Sequence, residues 1–144
     1  MSPLGGVEAV ERVLAAADSR NFVSGFMFNL PPVKPGGMRT PEQVWRKIPG
    51  AVSGPPAAAL ADFCIRETFR RMDRKRYILI GAGGVSTAQD AYAKIRLGAS
   101  LVQLLTALIY QGPGVVRAIT MGLAQLLARD GVKNVRDVVG VDAV

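Results

Sequence analysis

Two stretches of this chain have residue types that could do chemistry: Ser53-Gly54, and Gly81-Ala82-Gly83-Gly84-Val85-Ser86. Glycine has no Cβ, so it lets backbone N–H groups come close to a ligand. A helix that starts immediately afterwards favours an anion at its positive end. The second stretch therefore reads as a phosphate cradle centred on Gly83 and Gly84. Ser53-Gly54, ahead of another helix, is a further place where a hydroxyl and a bare backbone can meet a ligand. A tight turn and an ordinary helix cap are the simpler readings of the same residues. The dinucleotide fingerprint Gly-x-Gly-x-x-Gly is broken at Ser86, and the next strand carries Gln103 where an acid would hold a ribose. NAD is thereby disfavoured. What remains is a mononucleotide phosphate held between adjacent strands of a (β/α) barrel.

Other chemistries are limited by composition. The chain has no histidine, which excludes a Ser-His-Asp or Cys-His pair and any histidine-bearing metal site within it. Cys64 is the only cysteine, so no intrachain disulfide can form, which suits a reducing, cytoplasmic compartment. Flanked by Phe63 and Ile65, it reads as a small core residue. The net charge of +7 permits contact with nucleic acid or an anionic membrane. Only Arg66, Arg70, Arg71, Arg74, Lys75 and Arg76 cluster, however, and cations suit the solvated C-terminal end of a helix. Few aromatics lie near them, which argues against single-strand stacking. No signal peptide is visible, and no apolar run is long enough to span a bilayer.

The elements that must position the glycines follow from periodicity. Residues 7–17 form a helix with Val7, Val10, Leu14 and Ala17 on one face. Residues 22–29 form a strand stopped by Pro31 and Pro32. A long connection rich in Pro and Gly follows, in which Thr40 could cap a short helical turn pinned by Trp45. Residues 57–72 form a helix, and residues 77–80 a short apolar strand of the kind buried in parallel sheets. Ser86 is placed to cap the next helix, with Asp90 in its first turn and Gly98 at its end. A strand over residues 99–104 and a long helix over residues 113–129, stopped by Gly131, complete the pattern. A short capped turn over residues 134–139 closes it. The order is α/β with parallel strands. Three strands cannot close an eight-stranded barrel.

The run Gly81-Ala82-Gly83-Gly84-Val85-Ser86, with Asp90-Ala91, Lys94-Ile95-Arg96, Gly98-Ala99-Ser100-Leu101-Val102-Gln103-Leu104 and Thr106-Ala107-Leu108, resembles the C-terminal region of dihydroorotate dehydrogenase, quinone-linked class 2 branch. Gly112-Pro113 and the tail Val135-Arg136-Asp137-Val138-Val139-Gly140 continue the likeness, and Ser53-Gly54-Pro55 is similar to that family's Ser-Gly-Lys-Pro turn. The resemblance is strong after Ala51 and weaker before it. It implies the C-terminal portion of a (β/α)₈ barrel over residues 1–144, about three parallel strands with flanking helices, belonging to an FMN enzyme. That family oxidises dihydroorotate to orotate in pyrimidine synthesis and passes the electrons to a membrane quinone.

The resemblance also implies roles. Ser53 and Gly54 would touch the flavin, and Gly83, Gly84 and Val85 would hold its phosphate through backbone N–H groups. Leu105 and Thr106 would complete that pocket. Asn29 matches an orotate-binding asparagine, and Leu30 stands beside it where the family has a substrate-contacting threonine. Leu105 replaces a common tyrosine, and Pro55 a lysine. The family's catalytic serine base, further asparagines, a flavin-contacting lysine and the membrane-docking helices belong to segments before the matched region. The expectation is a flavin-phosphate half with no catalytic residue of its own, inactive alone. Its full-length counterpart would sit at the inner membrane. A non-catalytic flavin- or phosphate-binding half-barrel, or one that self-associates to cover its strand edges, is the alternative. Neither a metal nor a nucleic-acid partner is expected.

Overall fold

The structure, a computed structural model, describes residues 6–28 and 34–144. The elements are α1 (Gly6–Asp18), β1 (Gly25–Phe28), α2 (Glu42–Trp45), α3 (Ala58–Arg71), β2 (Ile78–Gly81), α4 (Ala88–Arg96), β3 (Leu101–Val102), α5 (Thr106–Gln111) and α6 (Gly114–Arg129). Tight 3₁₀ turns over Pro55–Ala57 and Val135–Val138 precede α3 and follow α6. The strands form one parallel sheet in the order β1-β2-β3. Phe26 pairs with Leu79, Phe28 with Gly81, and Gly81 with Val102. Three parallel strands with flanking helices are what the sequence pattern predicts.

Three strand expectations need correction. The strand expected over residues 99–104 is confined to Leu101–Val102. The first strand begins at Gly25 rather than residue 22, and Phe22 is exposed. Gly25 is where close pairing becomes possible, because a Cβ there would stand 2.5 Å from the carbonyl oxygen of Ile78. The strand at residues 77–80 is not buried on both faces. Leu79 is fully buried, whereas Ile78 is 44% exposed and Leu101, which pairs with Ile80, is 55% exposed. Successive strand residues face opposite sides. Among the described residues, helices cover only the face carrying Phe26, Phe28 and Leu79, which packs with Val10 and Leu14 of α1 and Cys64 and Ile65 of α3. No described element covers the other face. A second core joins Val85 and Ala91 to Val115 and Ile119 of α6.

Cys64 is fully buried in the first core, and burial pushes its thiol up to about 11, in keeping with a packing role. The basic cluster is taken up within the chain. Glu67 is buried, and its carboxylate accepts from Arg71 at 2.7 Å and Arg66 at 3.2 Å, with Arg70 3.6 Å away. Arg71 also reaches Glu11 of α1 at 3.4 Å. Arg76 donates to the carbonyls of Ala17 and Asp18, both at 3.1 Å, and so satisfies the open C-terminal end of α1. Burial opposes ionisation of Glu67, but the bonds from Arg71 and Arg66 outweigh it and hold its carboxyl below the usual range.

Candidate functional site

All three site loops meet at the C-terminal end of the sheet. Ser53 and Gly54 arrive from the turn before α3. Gly83, Gly84 and Val85 follow β2, and Leu105 and Thr106 open α5. These seven residues line one small hollow, together with Ala57, Ala82, Gln103 and Leu104. Gly81 and Val102 end β2 and β3 side by side, and the Gln103 amide donates to the Gly81 carbonyl at 2.8 Å, which fixes the spacing of the loops. The Thr106 hydroxyl donates to Ser53 Oγ at 3.0 Å and ties α5 to the turn before α3.

Among the described residues, the amides of Gly83, Gly84 and Val85 have no protein acceptor. Donors of this kind are normally satisfied, so three in a row beside a hollow are an anion-receiving arrangement. Among the described residues, no lysine or arginine lines the hollow. A phosphoryl group there would be met by amides and by the Ser53 and Thr106 hydroxyls alone. The volume is about 70 Å³, below the roughly 300–1,000 Å³ of a small-molecule site. The hollow fits one end of a ligand rather than a whole mononucleotide.

Two physical reasons given by sequence change. The glycines are needed chiefly for packing on α3. Gly83 and Gly84 have φ of +86° and +78°, and a Cβ on Gly84 would stand 2.5 Å from that of Ala58. The missing side chains let the loop pack against the small residues Ala57, Ala58 and Ala61 at the start of α3. The second change concerns the start of α4. Its cap is Thr87 rather than Ser86, in a reciprocal box with Asp90. The Asp90 carboxylate accepts from the Ser86 amide at 3.0 Å, the Thr87 amide at 2.9 Å and the Ser86 hydroxyl at 3.0 Å. The positive end of α4 is thus occupied by the chain's own carboxylate, and the open donors are those just before it. Thr40 likewise does not cap α2, where Pro41 takes the cap position without a side-chain bond.

Burial works against the Asp90 carboxylate, but bonds from Ser86 and Thr87 outweigh it and hold its carboxyl below the ordinary range. A depressed folded-state pKa contributes stability above the unfolded value, about 4, that is lost as pH falls through the folded one. Asp90→Asn is therefore expected to lower stability by about 1 kcal/mol at neutral pH. In urea titrations across pH, its difference from the parent chain should close in acid. A gap that persists at the acid end would show that the carboxylate charge is not the cause.

Asn29 and Leu30 lie outside the described residues. The missed lining residues are Ala57, Ala82, Gln103 and Leu104. Gln103 alone carried a signal, as the polar residue ending a strand.

A family profile for dihydroorotate dehydrogenase matches residues 33–127. The chain belongs to the dihydroorotate dehydrogenase family. It is 43% identical over 117 residues to dihydroorotate dehydrogenase (quinone) of Deinococcus radiodurans, a match covering 81% of this chain and 31% of that protein. It is 42% identical over 135 residues to the Myxococcus xanthus protein of the same name, covering 94% of this chain and 36% of that one. A crystal structure of ligand-free dihydroorotate dehydrogenase from Eimeria tenella superposes with a TM-score of 0.85 at 29% identity, over 99% of this chain and 38% of that chain. The chain spans about a third of the length of these relatives. Its α/β architecture corresponds to part of the dihydroorotate dehydrogenase barrel, as the sequence resemblance implies.

Proposed function

We propose that this chain is the flavin-phosphate part of a quinone-linked dihydroorotate dehydrogenase and binds FMN by its phosphate end. One observation carries the reading: Gly83, Gly84 and Val85, whose amides have no protein acceptor among the described residues, line a hollow shared with Ser53, Gly54, Leu105 and Thr106. Bound FMN would accept a hydride from dihydroorotate and be reoxidised by quinone. The residues of this chain would anchor the phosphate through the three amides, with Ser53 and Thr106 adding hydroxyl donors. Leu105 would present an apolar wall at a position where a tyrosine is usual in the family.

Hydride removal needs a base within hydrogen-bond reach of the second proton. Among the described residues the hollow offers hydroxyls, amides and apolar groups, with no carboxylate, amine or thiol at its wall. The base and most of the orotate contacts would come from barrel segments outside the matched third. The chain alone is accordingly expected to bind without turnover, as a cytoplasmic protein.

Titration with FMN and riboflavin, followed by flavin fluorescence, tests the reading. FMN should bind at least about tenfold tighter than riboflavin, since only FMN has a charged group for the open amides. Equal affinity for the two flavins would remove phosphate anchoring. Oxidation of dihydroorotate by the isolated chain with FMN and a quinone would remove the claim that the base lies elsewhere.

The open sheet favours a second reading as well. Among the described residues β1 and β3 each pair on one side only, and Ile78 and Leu101 stand exposed on the uncovered face. Unpaired edges and an apolar face invite a covering partner, either a second copy or the remaining barrel strands. Light scattering over a concentration series separates self-association from a stable monomer.

A further inference from the structure

A second hollow adjoins the phosphate hollow. The two share Gly54, Val85 and Thr106, so they meet along these residues. Gly54 keeps that seam low, since a Cβ there would stand 3.0 Å from Thr106 Cγ2. Beyond the seam the wall is formed by Pro55, Ser86, Ala107, Tyr110 and Gln111, and the volume is about 270 Å³. Small-molecule sites begin at roughly 300 Å³, so the second hollow has room for a ring system. Among the described residues no charged side chain lines it. The Ser86 amide and hydroxyl are already given to Asp90, which leaves neither of them free for an anion. An uncharged group therefore suits it. Two side chains remain unspent. Tyr110 is 85% exposed, so its ring lacks a protein cover. Gln111 donates from Nε2 to the Ser86 carbonyl at 3.3 Å, and among the described residues its carboxamide oxygen accepts no bond.

We propose that the second hollow takes the adenosine end of a dinucleotide, so that this chain binds FAD more tightly than FMN. The inference rests on the reading above, that the open amides hold the flavin phosphate. With that phosphate beside Val85, the pyrophosphate of FAD would cross the seam at Gly54 and Thr106. Adenine would then stack on the uncovered ring of Tyr110, because every nucleobase offers a π-face to an aromatic side chain. Gln111 adds a free carboxamide oxygen and a second N–H at fixed spacing, the pair that recognises the N6 amine and N7 of adenine. A second phosphate on its own would find neither a cation nor an open Ser86 donor there. An alkyl chain would leave the Gln111 oxygen and the Tyr110 hydroxyl without partners, which costs affinity once they are covered.

The test titrates the whole chain with riboflavin, FMN and FAD by calorimetry at one salt concentration. FAD should bind at least about fivefold tighter than FMN, the low end of what one stacked base contributes. Tyr110→Ala should remove that advantage and leave FMN affinity as it is, since Tyr110 lines the second hollow and not the first. Tyr110→Phe, which keeps the ring, should retain the advantage. Both variants should keep the parent circular dichroism spectrum, because the side chain is exposed. FMN ahead of riboflavin with FAD no better than FMN overturns the proposal and leaves phosphate anchoring standing. Equal affinity for all three flavins overturns both. An FAD advantage that survives Tyr110→Ala would put the base outside this hollow and also overturns the proposal.

Discussion

Gly84→Ala is expected to lower the stability of the chain by about 2–5 kcal/mol and to abolish FMN binding. Two costs combine. The backbone at Gly84 has φ of +78°, where an L side chain is strained by about 1–3 kcal/mol. The new methyl would also lie 2.5 Å from the Cβ of Ala58 and 3.0 Å from its Cα, and a helix backbone cannot step aside cheaply. Against a domain stability of about 5–15 kcal/mol this is a large fraction. Gly112→Ala is the matched control, with φ of +74° and nothing within 4 Å of the added atom. It should show the backbone cost alone, about 1–2 kcal/mol. Urea unfolding of both variants separates the two contributions. If Gly84→Ala and Gly112→Ala lose the same stability, contact with α3 is not what requires glycine at position 84.

Asp62→Ala should be comparably damaging, by a different route. Lys94 of α4 is almost fully buried, and its Nζ lies 2.6 Å from Asp62 Oδ1 on α3. Its methylenes pass beside Gly81, where a Cβ would come within 3.1 Å of the Lys94 Cβ. The pair therefore ties together the two helices that flank the glycine loop. Removing Asp62 leaves a buried ammonium without its partner, which costs roughly 3–5 kcal/mol when both groups are enclosed. Asp62 is 33% exposed, so water can replace part of the loss, and about 2–4 kcal/mol is expected. Lys94→Met with Asp62→Leu should recover most of it, because a packed apolar pair of similar volume carries no desolvation cost. A double-mutant cycle by chemical denaturation reads the coupling. Additive single effects would mean that the two side chains act independently.

Much of the fold was legible in the residues. Val10 and Leu14, one turn apart, marked the buried face of α1. The apolar run Tyr77-Ile78-Leu79-Ile80 closed by Gly81 marked the central strand, and Gly131 the end of α6. The meeting of Ser53-Gly54 with Gly83-Gly84 was not legible from spacing, and it entered through family resemblance. What escaped were partners rather than elements. Helical period shows that position 94 faces inward but not that a lysine there finds Asp62, on another helix. Arg76 reads as one more cation in a run, and only tertiary structure shows that it closes the carbonyl end of α1. Ile78-Leu79-Ile80 looks the same whether one face of a strand is covered or both, so the open face could not be read from it.

The carboxylate of Glu67, enclosed by Arg66, Arg70 and Arg71, also bears on how the chain responds to heat. Stripping water from charged groups becomes cheaper as temperature rises, whereas apolar burial gains little more. The seam between α1 and α3, where Arg71 also meets Glu11, should therefore loosen late on warming. The small hydroxyl latch at the mouth of the hollow has no such reserve and should open first.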